Sequence, residues 1–355
     1  MTTPTDDDTF AHLNPTALAA WLDRAGLAGD GEPLAIAPLS GGLQNDLFLL
    51  TRGGARMVLR RPPRKVRDDR IEGMRREIRI ARALRDTTVP HPRLLAAEEG
   101  VDLMGTPFLV MELVDGWSPN AGWQPPFDTD LLARADLGRA LVEGAATMAQ
   151  VDWRAVGLED LGKPEGFHER QAARWAGVLE RIKVRDLPGF DEAAAFLSGY
   201  QPQGYRPGLM HGDYQLPNVM FAHGTPGRLA AVIDFELTTI GDPLLDLAWA
   251  LLAWPPDDAD IPGHTLLSLE GMPHRDDLVE HYATMTGRPV DELDYYLVLA
   301  RYKLAIMLEQ SYARLSQVPD PPPVAAHLEK LVTDLMRSAG ALARRTPLAK
   351  RPTHP

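Results

Sequence analysis

The hydrophobic pattern of the chain changes near residue 114, and this change constrains the fold more than any other feature. Before it, short β-type runs occur at 47–51, 56–60 and 108–113. One helical pattern, over 68–85, interrupts these runs with apolar residues at intervals of three and four,. After residue 114 the patterns are mostly helical. The order predicts an α+β fold with two lobes, a small antiparallel-sheet N-lobe and a larger, mainly helical C-lobe.

The domain boundaries follow from the same change. We expect an N-terminal tail and helix over 1–29, the N-lobe over 30–114, the C-lobe over 115–345 and a frayed tail over 346–355. The segment 114–119 is the expected hinge between the lobes. A strand-rich insert at 209–234 interrupts the predicted helices of the C-lobe, which span 130–152, 167–182, 191–200, 275–287, 292–317 and 323–345,.

Composition excludes several classes of protein. The net charge of -12 argues against a general nucleic-acid binder, since phosphate backbones require basic surfaces,. No apolar run approaches the ~18 residues of a membrane span, and the acidic first ten residues do not form a secretory signal,. The chain has no cysteine, which removes disulfides and thiolate chemistry and predicts a cytoplasmic protein,. The sequence leaves the oligomeric state open.

Two adjacent motifs carry the densest chemical signal. The first, 211–218, reads His-Gly-Asp-Tyr-Gln-Leu-Pro-Asn, and the second, 232–236, reads Val-Ile-Asp-Phe-Glu at the end of a strand-like run. Phosphoryl transfer to an alcohol needs a carboxylate for the alcohol proton and oxygen ligands for Mg²⁺, all fixed relative to the γ-phosphate. An Asp and an Asn five positions apart, with a second Asp ending a buried strand, meet these needs.

These motifs resemble the aminoglycoside phosphotransferase family, which has a protein-kinase-like fold. The run Gly-Asp-Pro-Leu-Leu-Asp at 241–246 matches the same family. The run Val-Leu-Arg-Arg-Pro-Pro at 58–63 is most similar to the branch related to the kinase-like domains of certain acyl-CoA dehydrogenases. The resemblance covers roughly residues 30–320. It implies an enzyme, a small-molecule kinase that uses ATP and Mg²⁺ to phosphorylate a hydroxyl group.

The resemblance also implies a role for each matching residue of the C-lobe. Asp213 would be the catalytic base, and Asn218 and Asp234 would bind Mg²⁺. His211 would brace the catalytic loop, and Asp246 would hold the loop backbone from the start of a helix. A single acid in such a place is most often a turn residue or a helix cap, whereas the linked set favours catalysis.

In the N-lobe the match to kinases is looser. Ser40, Gly41, Gly42 and Asn45 lie between two strand-like runs, where kinases cover the phosphates with a loop whose backbone N–H groups approach the oxygens,. A Ser-Gly-Gly turn is also common in plain hairpins. Together with the downstream motifs, this segment predicts a nucleotide-binding loop. Backbone groups around Glu112 to Val114 are expected to bind the adenine edge.

The phosphate-pairing lysine of most kinases is missing. Arg60 stands in its position, and an arginine can bridge two phosphates and stay charged,. Glu77, on the helix that follows, is the expected partner of Arg60. Arg61 is the alternative, because successive strand residues face opposite sides and only one of the two can face the nucleotide.

The sequence leaves the acceptor open among three hypotheses. The acidic C-terminal part favours a polycationic aminoglycoside, whereas the branch resemblance favours a hydroxy acid or a hydroxyacyl-CoA. A nucleotide-binding pseudokinase is the third, although a pure binder does not need Asp213, Asn218 and Asp234 together. We favour a metabolite acceptor. The predicted helix over 292–317 carries polar residues that either line the acceptor pocket or, as we favour, face solvent: Tyr302, Glu309, Gln310 and Arg314.

Overall fold

The structure is a computed structural model that describes residues 13–27, 29, 31–39, 45–63, 68–255 and 267–350. The chain forms two compact units. The first comprises the chain up to Gly116 together with Ala230–Glu236, and the second comprises Trp117–Leu229 and the chain from Leu237 onward. The expected boundary near residue 114 lies close to this division, but the segment that carries Asp234 belongs to the first unit. No helix within the described ranges has both the length and the apolar character needed to cross a bilayer.

The first unit is built on an antiparallel sheet of five strands. Their order across the sheet is β1-β2-β3-β5-β4. The turn between the second and third strands is Gly53-Gly54, whose φ values of 53° and 79° suit a two-residue hairpin,. The strands are β1 (Ala35–Pro38), β2 (Asp46–Arg52), β3 (Ala55–Arg61), β4 (Leu94–Glu98) and β5 (Phe108–Glu112).

Two helices complete this unit. Helix α1 (Pro15–Arg24) begins at Asn14, whose side chain accepts a hydrogen bond from the backbone of Ala17,. Its apolar face packs on Phe48, Leu59 and other side chains of one sheet face, so it is part of the N-lobe core rather than a separate segment. Helix α2 (Asp68–Leu84) contributes Met74 and Ile78 to the second apolar cluster, with Leu94 and Leu109. In β5, Leu109 packs in this second cluster, whereas its neighbours Phe108 and Val110 pack in the cluster that contains α1. Strand alternation explains the difference, because successive side chains point to opposite faces of the sheet.

The second unit is mainly helical, with short strands. Strands β6 (Gly208–Met210) and β9 (Thr239–Gly241) pair antiparallel, and β7 (Val219–Phe221) is a third short strand of this unit. Strand β8 (Leu229–Val232) starts at Leu229 of the second unit, and its other residues belong to the first unit. Every residue of one helix, Leu244–Leu251, is buried. The helices are α3 (Arg134–Ala149), α4 (Gln171–Ile182), α5 (Phe190–Gly199), α6 (Leu244–Leu251), α7 (Arg275–Thr286), α8 (Leu293–Ser316) and α9 (Pro323–Arg345).

Helix α8 corrects one expectation from the sequence. Tyr302 and Glu309 were expected to face solvent, but both are fully buried, whereas Gln310 and Arg314 are exposed. Glu309 binds Arg185, with 2.9 Å between Nη2 and Oε2. A carboxylate can be buried when a guanidinium neutralises it, and sequence periodicity does not reveal a partner 124 positions away,.

Candidate active site

Arg60 bridges two carboxylates in the first unit. Strand β3 presents its side chain, whose Nε lies 3.0 Å from Oε1 of Glu77 on α2. Its Nη2 lies 2.7 Å from Oδ1 of Asp234. Burial by itself would lower the pKa of Arg60, but attraction by Glu77 and Asp234 outweighs it and raises the pKa. The guanidinium is therefore a fixed positive charge beside Asp234.

Arg61 points elsewhere. Its side chain is buried, with Nε 3.3 Å from Oδ2 of Asp46, and its guanidinium lies 5.5 Å from the ring centre of Phe48. The structure thus brings Arg60, and not Arg61, to Glu77 and Asp234. Strand alternation explains the separation, since consecutive side chains leave the sheet on opposite faces.

Glu77 is buried beneath Arg60. Loss of solvation raises its pKa to about 7, and attraction by Arg60 opposes this effect. The like charges of Asp234 and Glu236 act in the same direction as burial, and the pKa of about 7 is the net result. Glu77 therefore depends on Arg60 to remain ionised at neutral pH, and each residue holds the other in place.

Asp234 has a left-handed backbone conformation. Its φ of 67° makes it the one non-glycine residue with a positive φ within the described ranges. Such a conformation costs an aspartate about 1–3 kcal/mol and persists where the surroundings impose it, often at functional sites. Here the backbone N–H of Val232 donates to the carbonyl of Pro90, and Phe235 is buried. These contacts anchor the strand end on both sides of the aspartate.

An apolar pocket lies beside this charged group in the first unit. Arg60, Glu77 and Asp234 line one part of it. The rest of the wall is formed largely by aliphatic side chains from α2, β4 and β5, namely Ala81, Leu94, Leu109 and Met111.

The structure also places three other residues that were predicted to bind the nucleotide. Glu112 ends β5, and its exposed carboxylate contacts Arg93, with 2.9 Å between Oε1 and Nε. Val114 follows in a segment without regular structure, and Asn45 is buried just before β2. Ser40, Gly41 and Gly42 lie outside the described residues. The nucleotide-binding roles of all of these residues remain predictions.

Side-chain hydrogen bonds connect the residues of the predicted catalytic loop in the second unit. The Nδ2 of Asn218 donates to Oδ2 of Asp213 at 2.9 Å and to the carbonyl oxygen of Asp213 at 2.8 Å. Gln215, which sequence reasoning did not select, donates from Nε2 to Oδ1 of Asp213 at 2.6 Å. Each oxygen of the Asp213 carboxylate thus accepts an amide N–H, and the two bonds fix the orientation of the carboxylate.

Asp246 holds the start of this loop. Its Oδ2 accepts the backbone N–H of His211 at 2.5 Å, and its Oδ1 accepts that of Gly212 at 2.9 Å. Burial outweighs the opposing effect of these two bonds and of the charge of Lys303, so the pKa of Asp246 is raised to about 7. Gly212 has a φ of 85°, and a Cβ there would lie 2.5 Å from the carbonyl oxygen of Leu237. Only glycine fits this turn without displacing the backbone.

Lys303 is a further charged residue that sequence reasoning missed. It lies on α8, is 8% exposed, and its charge interacts favourably with Asp246 and Asp213. The sequence does set Lys303 apart, because it is one of only two charged residues, with Arg301, in the otherwise largely apolar stretch from Leu297 to Ile306.

The residues proposed for Mg²⁺ offer suitable donors. Asp234 uses Oδ1 for Arg60, which leaves Oδ2, and Asn218 uses its amide nitrogen for Asp213, which leaves its amide oxygen. Mg²⁺ prefers such hard oxygen ligands and usually completes its shell with water and phosphate oxygens. Within the described part of the chain, no group of three or more acidic, His or Cys side chains could hold a metal by itself. Asp234 and Asn218 thus each carry an oxygen of the kind that Mg²⁺ accepts, and their role as its ligands remains a prediction.

The sequence profile of the phosphotransferase enzyme family (APH) matches residues 35–282, well over half of the chain. The chain belongs to this family. The resemblance seen in the motifs is thereby confirmed, as is the expectation of a phosphotransferase enzyme.

Individual relatives agree with this assignment. Acyl-CoA dehydrogenase family member 11 of Gallus gallus is 29% identical over 289 residues, which are 79% of this chain and 37% of that protein. The chain therefore spans little more than a third of the length of this relative. A Ralstonia eutropha protein, provisionally assigned as an aminoglycoside phosphotransferase, has a crystal structure with a TM-score of 0.79 and 27% identity, covering 93% of this chain and 98% of that one.

A more distant structure shares the fold. It is a thermostable mutant of aminoglycoside phosphotransferase APH(4)-Ia in complex with ADP and hygromycin B. The TM-score is 0.54 at 16% identity, with coverage of 92% of this chain and 97% of that one. The expected kinase-like α+β fold is confirmed by these structures.

Proposed function

We propose that this APH-family enzyme transfers the γ-phosphate of ATP to a hydroxyl group of a small hydroxy acid or hydroxyacyl thioester, with Asp213 as the catalytic base. The observation that carries the proposal is the pair of amide donors, Asn218 and Gln215, that orient the Asp213 carboxylate from its two oxygens. A general base must be held within hydrogen-bond reach of the proton that it accepts, and this carboxylate is held in one orientation.

The proposed step is a direct transfer. The acceptor hydroxyl gives its proton to Asp213, and its oxygen forms a bond to the γ-phosphorus. The bond from that phosphorus to the β–γ bridging oxygen breaks, so the products are a phosphate ester and ADP. Positioning and electrostatics supply most of the catalysis of such a step.

The first unit supports nucleotide binding by its charge. Arg60 is a permanent cation that Glu77 and Asp234 hold in place, and a guanidinium suits phosphate oxygens,. Asn218 and Asp234 would hold Mg²⁺, which when bound neutralises charge on the phosphate oxygens during transfer. The ADP bound to the APH(4)-Ia mutant supports an adenine nucleotide for this chain as well.

The acyl acceptor is supported by the relatives rather than by the fold. The Gallus gallus protein is named an acyl-CoA dehydrogenase family member, and this chain matches part of its length. An acceptor with an acyl chain is therefore the proposal, and an aminoglycoside acceptor is an alternative outcome of the test below.

The deciding experiment incubates the protein with Mg-ATP and a panel of hydroxy acids, hydroxyacyl-CoA thioesters, amino alcohols and aminoglycosides. Mass spectrometry then detects the gain of one phosphate on an acceptor. Asp213→Asn should abolish the product, whereas Asp186→Asn, which removes a fully exposed carboxylate, should not. Product formed equally by Asp213→Asn would exclude Asp213 as the base. Tight ATP binding without any acceptor turnover would favour a pseudokinase.

A further inference from the structure

Tyr214 directly follows the proposed base Asp213, and its side chain reaches helix α3 of the same unit. The residue is fully buried. Its hydroxyl donates to the backbone carbonyl oxygen of Leu141, in the middle of α3, at 2.7 Å. Burial raises the pKa of Tyr214 well above its usual value, so the hydroxyl keeps its proton and remains a donor.

Gly144 of α3 provides the space for this hydroxyl. A Cβ at position 144 would lie 2.2 Å from the hydroxyl oxygen of Tyr214 and 2.5 Å from Cδ2 of Leu229. A methyl group therefore cannot occupy this place while the hydroxyl stays where it is. Glycine is a poor helix former, and the close approach of Tyr214 is a physical reason for its presence inside α3.

The hydrogen bonds of the catalytic loop are of two kinds. Asn218 and Gln215 bind the Asp213 carboxylate from within the loop, so they orient it relative to the loop itself. Bonds to other elements fix the loop within the unit. Asp246 of α6 supplies such bonds to the backbone just before the base, and Tyr214 supplies one to α3 just after it.

The two sides of the base are also in contact with each other. The ring centres of His211 and Tyr214 are 5.8 Å apart, with an angle of 80° between the ring planes, which is an edge-to-face arrangement,. Asp213 thus lies on a short segment whose two ends pack together and are held by two different helices.

We infer that Tyr214 is a positioning residue for the phosphoryl transfer, and that its hydroxyl, seated against Gly144, fixes the place of Asp213 within the second unit. This inference rests on the proposed function and deepens it. A displacement of about 1 Å can lower the rate of an enzymatic step about 10²-fold. Loss of the hydroxyl should therefore slow the transfer more than it weakens the binding of either substrate.

The first test removes only the hydroxyl. Tyr214→Phe keeps the ring, and the carbonyl of Leu141 keeps its helical partner, the backbone N–H of Ala145, so the variant should fold,. Single-turnover kinetics isolate the transfer step. We expect the rate at saturating ATP and acceptor to fall about tenfold or more, with the affinities for both near native.

The matched control for this test is Tyr282→Phe. The hydroxyl of Tyr282 on α7 is also buried, but it has no hydrogen-bond partner among the described residues. This variant should keep the native rate. A native rate in Tyr214→Phe would overturn the inference, and a loss of stability without a loss of rate would show a purely structural role.

The second test uses the space at Gly144. Gly144→Ala should lower the rate at least as much as Tyr214→Phe, because its methyl group displaces the hydroxyl. Without the hydroxyl, the methyl group meets the ring carbon Cζ at 3.4 Å, an ordinary contact, so Gly144→Ala should cause a much smaller loss in the Tyr214→Phe background. The contact with Leu229 is common to both backgrounds and cancels in the comparison.

Gly177→Ala is the matched control, since a Cβ there, inside α4, meets only Nη1 of Arg181 at 3.8 Å. It should leave the rate unchanged in both backgrounds. Equal losses from Gly144→Ala in the two backgrounds would overturn the inference, because the methyl group would then not act through the hydroxyl. Should Gly144→Ala fail to fold, the rate of Tyr214→Phe still decides.

Thermal unfolding of the same variants separates the possible failures, because it needs no acceptor. A non-additive effect of Gly144→Ala and Tyr214→Phe on the unfolding temperature would support the anchor. The same result without turnover of any acceptor by the native protein would contradict the proposed kinase activity and support the anchor alone. Turnover by the native protein, with an unchanged rate in Tyr214→Phe, would support the kinase and reject the positioning role.

Discussion

The side chain of Asn218 donates to both the carboxylate and the backbone carbonyl of Asp213, at 2.9 and 2.8 Å. The two residues are five positions apart, so this clamp closes one turn of the chain and fixes the carboxylate relative to its own backbone. The same contact directs the amide oxygen of Asn218 away from Asp213, so that oxygen is the atom proposed to bind the metal. One side chain thus serves the base and the proposed metal site together.

Replacement of Asn218 should therefore impair catalysis more than stability. We expect Asn218→Ala to lower kcat by about 10²–10³-fold. The substitution removes the amide that orients the Asp213 carboxylate and also removes one proposed ligand of the cation. Steady-state kinetics would measure this loss, with the acceptor that the proposed panel experiment identifies. Asn14→Ala is a matched control that removes the amide capping α1; it should cost ~1 kcal/mol of unfolding free energy and leave kcat unchanged. A kcat for Asn218→Ala near the native value would contradict the clamp.

The two adjacent arginines of β3 should respond in opposite ways to replacement by lysine. Arg60→Lys should raise KM for ATP about tenfold or more, since an ammonium cannot bridge Glu77 and Asp234 as the guanidinium does,. Arg61→Lys should instead lower stability, because its buried guanidinium contacts Asp46 and Phe48. ATP titrations and urea unfolding on both variants test the pair. A larger effect of Arg61→Lys on KM for ATP would reverse the assignment.

Gly212 should not tolerate a side chain. Its φ of 85° and the 2.5 Å approach of a Cβ to Leu237 both oppose alanine. We expect Gly212→Ala to reduce the unfolding free energy by about 1–3 kcal/mol and to lower kcat, because the loop of Asp213 must shift. Gly224→Ala is the control, since its φ of 75° is similar but a Cβ there meets no atom within 4 Å. Equal losses in both variants would show that backbone strain alone, without the contact to Leu237, is responsible.

Asp246 should make stability depend on pH. Burial raises its pKa from the ordinary 3.8 to about 7 in the folded protein. The folded state then binds more protons than the unfolded state between these values, so the contribution of Asp246 is present below pH 3.8 and is lost as the pH rises through 7,. The unfolding free energy of the native protein relative to Asp246→Asn should fall over this range by roughly 2–4 kcal/mol.

Urea unfolding at several pH values measures this difference. Asp186→Asn is the control of opposite sign, because Lys183 lowers the pKa of the exposed Asp186 in the folded protein. Its contribution should be small and should be lost as the pH falls. If the difference in unfolding free energy between the native protein and Asp246→Asn did not change from pH 4 to 7, Asp246 would not have the raised pKa of a buried carboxylate.

Local patterns in the sequence determined most of the secondary structure and the loop. The helix predicted over 68–85 is observed as Asp68–Leu84, and that over 323–345 as Pro323–Arg345. These follow from the sequence because helical periodicity and capping are properties of neighbouring residues. The spacing of Asp213 and Asn218 is local in the same sense, and their contact needs only a tight turn.

Tertiary structure decided everything that depends on partners distant in the chain. Arg60 was a candidate from its strand position, but its contact with Asp234, 174 positions later, separates it from Arg61. The burial of Glu309 against Arg185 and the placement of Lys303 between Trp175 and Trp249 left no periodic signal in α8. A buried charge depends on which groups from other elements surround it, and those groups are brought together only when the chain folds.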